Sequence, residues 1–126
     1  MRRSALLFLS GLACACFLPT ATLAQSVATE RGMPGVPFGE FIAEAASRFA
    51  LPPAWLHAIM HAESRGKPRA VSPKGAMGLM QIMPATWDYL RARHRLGPDA
   101  FDPHDNIIAG AGYIRELFDR YGSPGW

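Results

Sequence analysis

Prolines and glycines are the feature that most limits what this chain can fold into. There are 12 glycines and 11 prolines among 126 residues. Pro53, Pro84 and Pro103 each stand where an apolar helical pattern begins, and proline is tolerated in the first turn of a helix but not in its interior. Residues 65–76 hold two prolines and two glycines, too many for a helix. The sequence therefore predicts short helices separated by loops.

The apolar residues between these breaks recur at helical spacing. Asp102 before Pro103 resembles an N-cap, and Gly122 resembles a C-terminal cap. There is no internal repeat and no strand-like alternation of apolar and polar residues, so the predicted class is all-α. The predicted helices are residues 38–50, 53–64, 84–94 and 103–121, with a further short apolar helix over residues 77–83.

The first 24 residues have the composition of a secretory signal peptide. Arg2 and Arg3 precede a nearly unbroken apolar run over residues 5–18, and Ala24 ends a small-residue cleavage site. The run is too short to span a bilayer, although an uncleaved membrane anchor is the alternative. Lipidation is not expected, because neither cysteine within the leader has a leucine three residues before it.

Cleavage after residue 24 would leave a chain with no cysteine, hence no disulfide and no thiol chemistry. Loss of Arg2 and Arg3 lowers the net charge from +3 to +1, so nothing suggests binding to nucleic acid. Residues 25–37 are predicted to be a flexible lead-in to the domain. The remaining chain is long enough for one domain.

Glu63 is the candidate catalytic residue. It completes the helical series Leu56, Ile59 and Met60, which predicts that its carboxyl group shares the stripe facing the core. Burial of a carboxylate costs several kcal/mol unless it pairs or takes up a proton. An apolar setting favours the protonated form, which a general acid needs. The alternative is a glutamate at a frayed helix end that reaches solvent.

A basic loop follows Glu63. Arg65, Lys67, Arg69 and Lys74 lie in residues 65–76 without a single acid among them. Such a run is either a solvated loop or the side of a groove for an anionic polymer.

His57 and His61 are spaced i, i+4 and invite comparison with a zinc site. The metalloprotease motif needs Glu directly after the first His, whereas this chain has Ala58 there. We therefore expect neither a metal nor another cofactor.

Linked motifs after Glu63 resemble a known family. They are the pair Glu63-Ser64, the segment AVSPKGA at residues 70–76, and GLMQIMPAT at residues 78–86. Residues 102–113, which include Asn106 and Tyr113 and begin the last predicted helix, also match the family. The chain resembles the soluble lytic transglycosylase family, family 23 of the glycoside hydrolases, which includes the goose-type lysozymes. The resemblance implies a lysozyme-like helical domain over residues 38–126.

The resemblance also implies an activity and its site. The family cleaves the β-1,4 bond between N-acetylmuramic acid and N-acetylglucosamine in peptidoglycan and leaves a 1,6-anhydromuramoyl product. Glu63 would be the single acid and base, and Ser64, Ser72, Gln81 and Met83 would line the sugar groove. From the residues alone, Ser72 could equally cap a loop, Gln81 lie on a helix surface and Met83 belong to the core.

One family segment has no counterpart. The family's Ala-x-x-Ala-Tyr-Asn-x-Gly segment is not found, and no Tyr-Asn pair occurs in the sequence. We therefore expect a C-terminally shortened domain, which leaves three hypotheses. The first is an exported, periplasmic transglycosylase acting on peptidoglycan strands, in wall turnover or beside a secretion or conjugation complex, with membrane contact only through its signal peptide. The second is an inactive wall-binding or scaffold module, and the third is a lysozyme that uses water.

Overall fold

Four α-helices form the structure, for which the computed structural model describes residues 35–122. They are α1 (Gly39–Phe49), α2 (Pro53–Ser64), α3 (Pro84–His94) and α4 (Pro103–Tyr121). The predicted all-α class and these four predicted helices are confirmed. In this part of the chain, no helix combines the length and apolarity needed to cross a membrane. The predicted signal peptide and nearly all of the predicted lead-in lie outside the described residues.

The helix ends follow the capping signals in the sequence. Asp102 accepts a hydrogen bond from the backbone N–H of Asp105 at 2.9 Å, as an N-cap does. At the other end of α4, Gly122 is left-handed and its N–H donates to Phe118 O at 2.8 Å. Pro53 and Pro84 each occupy the first turn of a helix, where the missing N–H costs no hydrogen bond.

The core is built around α4. Ile107, Ile108 and Ala111 are fully buried on this helix, which packs against α1 and α3, while α1 also packs against α2. The surrounding elements contribute apolar side chains from three helices and from the segment that precedes α3, among them Ile42, Ala45, Leu56, Met60, Leu79, Ile82, Trp87 and Leu90. The arrangement places the C-terminal end of α2 beside the segment that leads into α3.

Residues 77–83 do not form the predicted short helix. They form turns, with isolated bridges that pair Val71 with Met77 and Met77 with Ile82. Gly78 and Gln81 have positive φ values of 76° and 52°, which a right-handed helix excludes. The apolar spacing suggested a helix, but the glycine and the bridges impose a compact loop instead.

Two glycines inside α4 allow close contacts. A Cβ atom at Gly112 would lie 2.6 Å from Nε2 of His94 on α3 and 3.1 Å from the ring of Phe49 on α1. A Cβ atom at Gly110 would lie 2.6 Å from Cβ of Met80. Gly112 therefore permits close packing of α4 against α1 and α3, whereas Gly110 admits the loop of residues 77–83.

His104 connects α1 to the first turn of α4. Its Nδ1 lies 2.9 Å from Asp105 Oδ1, and its Nε2 lies 2.9 Å from Glu44 Oε2 on α1. The hydrogen bond with Asp105, followed by that with Glu44, raises the pKa of His104 above its usual 6.5, against the opposing effect of burial. The protonated imidazole therefore stabilises the contact between the two helices.

We expect His104 to make stability depend on pH in one direction. Because its pKa is higher in the folded chain, its contribution is complete below about pH 6.5 and is lost as the pH rises through the folded value. Glu44 and His104 are partly exposed, so the contribution is that of a surface pair, about 0.5 kcal/mol. Denaturant unfolding of the parent and His104→Gln from pH 5.5 to 8.5 measures it.

The matched control is His61→Gln, an exposed histidine on α2. Burial, helped by Arg48 and Arg93, lowers the pKa of His94, which reduces stability on acidification in every variant. This contribution cancels in the difference between parent and variant. A stability difference between parent and His104→Gln that does not shrink as the pH rises would contradict the assignment.

Candidate active site

Glu63 lies in the last turn of α2 and lines a cavity of about 250 Å³. Leu56 and Met60, earlier on the same stripe, are buried in the core, but Glu63 itself is exposed. The expectation of a buried carboxyl group is therefore wrong. The stripe extends past the packed part of the core, so its last member borders an open cavity and remains accessible to solvent.

The cavity has mainly apolar sides and a few polar groups. Gln81, Thr86 and Tyr113 supply the polar groups, and Glu63 is the only acid among the lining side chains. The apolar part comes from α2, α4 and the loop before α3, through Ile59, Met80, Ile82, Met83, Gly110, Ile114 and Leu117. A lone carboxyl group beside an apolar cavity with few polar groups is the arrangement expected of a binding or catalytic site.

Gln81 reaches the cavity from a constrained position. Its Nε2 donates to Ala70 O at 3.1 Å and to Gly78 O at 2.9 Å, which ties the loop of residues 77–83 to the basic loop before it. Both amide hydrogens are therefore used within the chain, and the side-chain oxygen is the group that could serve a ligand. The structure places Gln81 and Glu63 in the lining of the same cavity.

Met83 and Tyr113 are exposed large side chains of the cavity. Met83 precedes the first turn of α3 with 42% exposure, and Tyr113 projects from α4 with 39% exposure. Met83 is thus a lining residue instead of a core methionine. Tyr113 was not predicted as a site residue, although its position directly after Gly112 and three residues after Gly110 could have suggested an accessible ring.

The two predicted serines lie outside the lining of this cavity. Ser64 is buried, and its hydroxyl donates to Met60 O at 3.0 Å and accepts from Gly66 N at 3.2 Å. Ser72 accepts from Ala76 N at 3.0 Å and closes the tip of the basic loop. Both hydroxyl groups stabilise backbone turns, and Ser64 does so one residue after Glu63.

Asn106 holds the loop of residues 77–83 against α4. This fully buried side chain accepts from Met80 N at 2.7 Å and donates to Met77 O at 3.0 Å and Ala100 O at 2.9 Å. An unpaired polar atom is costly in the core, so a buried amide must keep its hydrogen-bond partners. The Asn106 side chain therefore fixes the backbone atoms that it binds. Sequence reasoning assigned Asn106 no role, although a lone amide within an apolar helix stripe was a usable signal.

Comparison with known proteins identifies the family. The model of the family described as transglycosylase SLT domain matches residues 40–126. The chain belongs to this family. A transglycosylase of Enterobacteria phage PRD1 is 43% identical over 66% of this chain and 29% of its own length. Membrane-bound lytic murein transglycosylase C of Mannheimia succiniciproducens is 35% identical over 64% of this chain and 24% of its own length.

Solved structures share the fold of this SLT domain. The 70 kDa soluble lytic transglycosylase SLT70 of Escherichia coli has a TM-score of 0.61 at 29% identity, over 81% of this chain and 18% of that one. An inactive Glu-to-Gln mutant of lytic transglycosylase Slt from Pseudomonas aeruginosa has a TM-score of 0.62 at 26% identity, over 69% and 15%. The chain thus spans less than a third of each of these relatives, and the likeness confirms a lysozyme-like SLT fold.

One group of side chains in residues 35–122 has the spacing of metal ligands. It consists of Asp102, His104 and Asp105 at the start of α4, and none of the three lines the Glu63 cavity. Asp102 caps the helix, and Asp105 accepts from Gly97 N at 2.8 Å. These groups therefore have structural partners within the SLT domain, and His57 and His61 are not members of the group.

We expect Asn106→Asp to destabilise the SLT domain by about 3 kcal/mol, because two buried carbonyl oxygens lose their donors and face a carboxyl group instead. The acceptor for Met80 N is retained, so the loss comes from the two donated hydrogen bonds and from the contact of the new carboxyl group with two carbonyl oxygens. Urea unfolding of the variant and parent measures the difference.

The control for Asn106→Asp is Asp88→Asn, the reverse exchange at an exposed position of α3. A surface change of this kind should alter stability by less than about 0.5 kcal/mol. Equal effects of the two exchanges would mean that the Asn106 hydrogen bonds do not hold the loop.

Proposed function

We propose that this SLT domain is a peptidoglycan lytic transglycosylase with Glu63 as its acid and base. The observation that carries the proposal is the shared cavity, in which the Glu63 carboxyl group, Gln81 and Met83 converge. Membership of the SLT family supports it. The relatives' names, which include lytic murein transglycosylase and transglycosylase, supply the reaction and the substrate of the proposal.

The lone acid of the cavity suits a mechanism in which one group acts twice. Protonated Glu63 donates its proton to the glycosidic oxygen as the bond from that oxygen to C1 of the muramoyl residue breaks. The acetamido oxygen of the substrate stabilises C1. The Glu63 carboxylate then removes the proton from the muramoyl 6-hydroxyl as that oxygen bonds to C1, giving the 1,6-anhydro product. Most glycosidases need a second carboxylate for these steps.

The other predicted site residues divide into two roles in this proposal. The side-chain oxygen of Gln81 accepts a hydrogen bond from a sugar, and Met83 supplies apolar surface for a sugar ring. Ser64 acts indirectly, since its hydroxyl fixes the end of the helix that carries Glu63. Ser72 keeps a free hydroxyl hydrogen that can donate to a strand lying across the loop. The proposal requires neither a metal nor another cofactor.

The proposed place of action is the periplasm. A lytic enzyme must meet the peptidoglycan strands outside the inner membrane, and the predicted signal peptide of residues 1–24 supplies a route for export. Association with a secretion or conjugation complex stays a prediction.

A second candidate function is a wall-binding or scaffold module that does not cleave. The exposure of Glu63 favours it, because binding at an open cavity does not need the carboxyl group to be shielded from water, whereas an enclosed site that excludes water assists catalysis. The two candidates differ in the products formed from peptidoglycan and not in binding.

The decisive test is digestion of purified peptidoglycan with mass spectrometry of the products. We expect 1,6-anhydromuropeptides from the parent and a rate at least about 100-fold lower from Glu63→Gln, which cannot transfer the proton. Glu40→Gln, an exposed glutamate on α1, is the matched control and should keep the parent rate.

Each other outcome has a distinct meaning. Reducing muramic acid ends that disappear in Glu63→Gln would identify a hydrolytic lysozyme instead. Binding of the folded chain to peptidoglycan without any product would establish the wall-binding module and refute the enzyme.

A further inference from the structure

Positive charge is concentrated next to the Glu63 cavity. The stretch of residues 64–87 contains Arg65, Lys67, Arg69 and Lys74 and not one aspartate or glutamate. All four side chains are exposed. The ion pairs found within residues 35–122 involve none of them. Arg69 lies 5.4 Å from the ring centre of Phe101, and the other three cations take part in none of the ion pairs or cation–π contacts found within residues 35–122.

The loop that carries these charges has a fixed backbone. Lys67 N donates to Ser64 O at 3.1 Å, Ala70 N donates to Lys67 O at 3.2 Å, and Gly75 N donates to Ser72 O at 2.9 Å. The backbone N–H of Ser72 also donates to Ala76 O at 2.9 Å. These hydrogen bonds hold the backbone of the basic loop in one conformation before a ligand binds. This reduces the entropy that the loop loses on binding.

Hydrogen bonds join the basic loop to one side of the cavity. Ala70 O accepts from Gly78 N at 2.8 Å and from Nε2 of Gln81 at 3.1 Å, and Gln81 lines the cavity with Glu63. A glycan strand that occupies the cavity would therefore run beside the basic loop. The N-acetylated sugars of such a strand are neutral where the lactyl group is amidated, so they offer the cations no partner.

We propose that the basic loop, residues 65–76, binds the carboxylates of the short peptides that branch from the glycan strand. These peptides leave each muramoyl residue through its lactyl group and end in free carboxylates, so they bring negative charge to the rim of the sugar site. The loop thereby favours peptide-bearing strands over neutral glycan. This inference rests on the proposed function, because it takes the cavity to be the sugar site.

An anionic lipid surface is the competing partner for such a loop. Binding to a lipid surface uses apolar side chains together with cations, and Val71 is the only large apolar side chain exposed in the loop. The backbone connection to the Glu63 cavity favours the peptide carboxylates.

The test compares two variants with the same loss of charge. Lys67→Gln with Lys74→Gln neutralises the loop, and Arg48→Gln with Arg95→Gln neutralises two exposed cations at the ends of α1 and α3. Each pair is introduced into the Glu63→Gln chain to prevent lysis, and its folding is checked by thermal unfolding. Binding to sacculi free of other anionic polymers is measured by cosedimentation from 50 to 300 mM NaCl.

We expect the loop pair to weaken binding about fivefold at 50 mM NaCl, as the loss of two exposed ion pairs would, and to flatten its salt dependence. The control pair should change the affinity less than twofold. Sacculi whose carboxylates have been converted to amides should bind the Glu63→Gln chain with its loop intact about fivefold more weakly than native sacculi do. This last arm needs no loop substitution, so it holds even if the variant is unstable.

Three results would overturn the inference. Equal losses with both pairs would show a general charge effect. If the loop pair also weakens binding to amidated sacculi, the peptide carboxylates are not the groups that the loop binds. Cosedimentation with phosphatidylglycerol vesicles is measured in parallel, and a loop pair that weakens binding to these vesicles but not to sacculi would assign the loop to a membrane surface. The products of the Glu63-containing chain are measured separately, so an absence of cleavage refutes the proposed enzyme, whereas cleavage without any effect of the loop refutes only this inference.

Discussion

The buried amide of Asn106 is the interaction on which the site depends. One side chain satisfies three backbone groups, Met80 N, Met77 O and Ala100 O, from two loops that would otherwise leave polar atoms unpaired in the core. Gly78 makes room for this amide, since a Cβ atom there would lie 2.8 Å from the Asn106 side-chain carbon. The loop that presents Gln81 and Met83 to the cavity is therefore positioned from α4.

The helices were predictable because local rules determine them. Proline in a first turn, an aspartate N-cap and a glycine C-cap each act within four residues, and apolar spacing identifies the face that packs. Asp102 and Gly122 behave as their sequence context indicates. Membership of the family and the identity of Glu63 as the candidate acid rest on motif spacing, which is also local.

The remaining features depend on contacts that local rules do not contain. Residues 77–83 have the apolar spacing of a helix, but a bridge between Met77 and Ile82 and a hydrogen bond from α4 determine their shape. The apolar stripe on α2 predicts which way the Glu63 side chain points. It does not predict where the packed core ends, so the exposure of Glu63 was not predicted. Ser64 and Ser72 have the residue types of ligand-binding groups, and only the structure shows that backbone atoms already use their hydroxyl oxygens.

Asn106 forms hydrogen bonds only with main-chain atoms of the loop that it holds, and this has a consequence for how the loop can vary. The side chain of Met83 takes no part in these hydrogen bonds and is exposed at the cavity, so it can be exchanged while the backbone path stays the same. Gly78 is the exception, because the amide occupies the space of its missing side chain. The scaffold thus separates the position of the loop from the chemistry of its exposed side chains, which can change without a new fold.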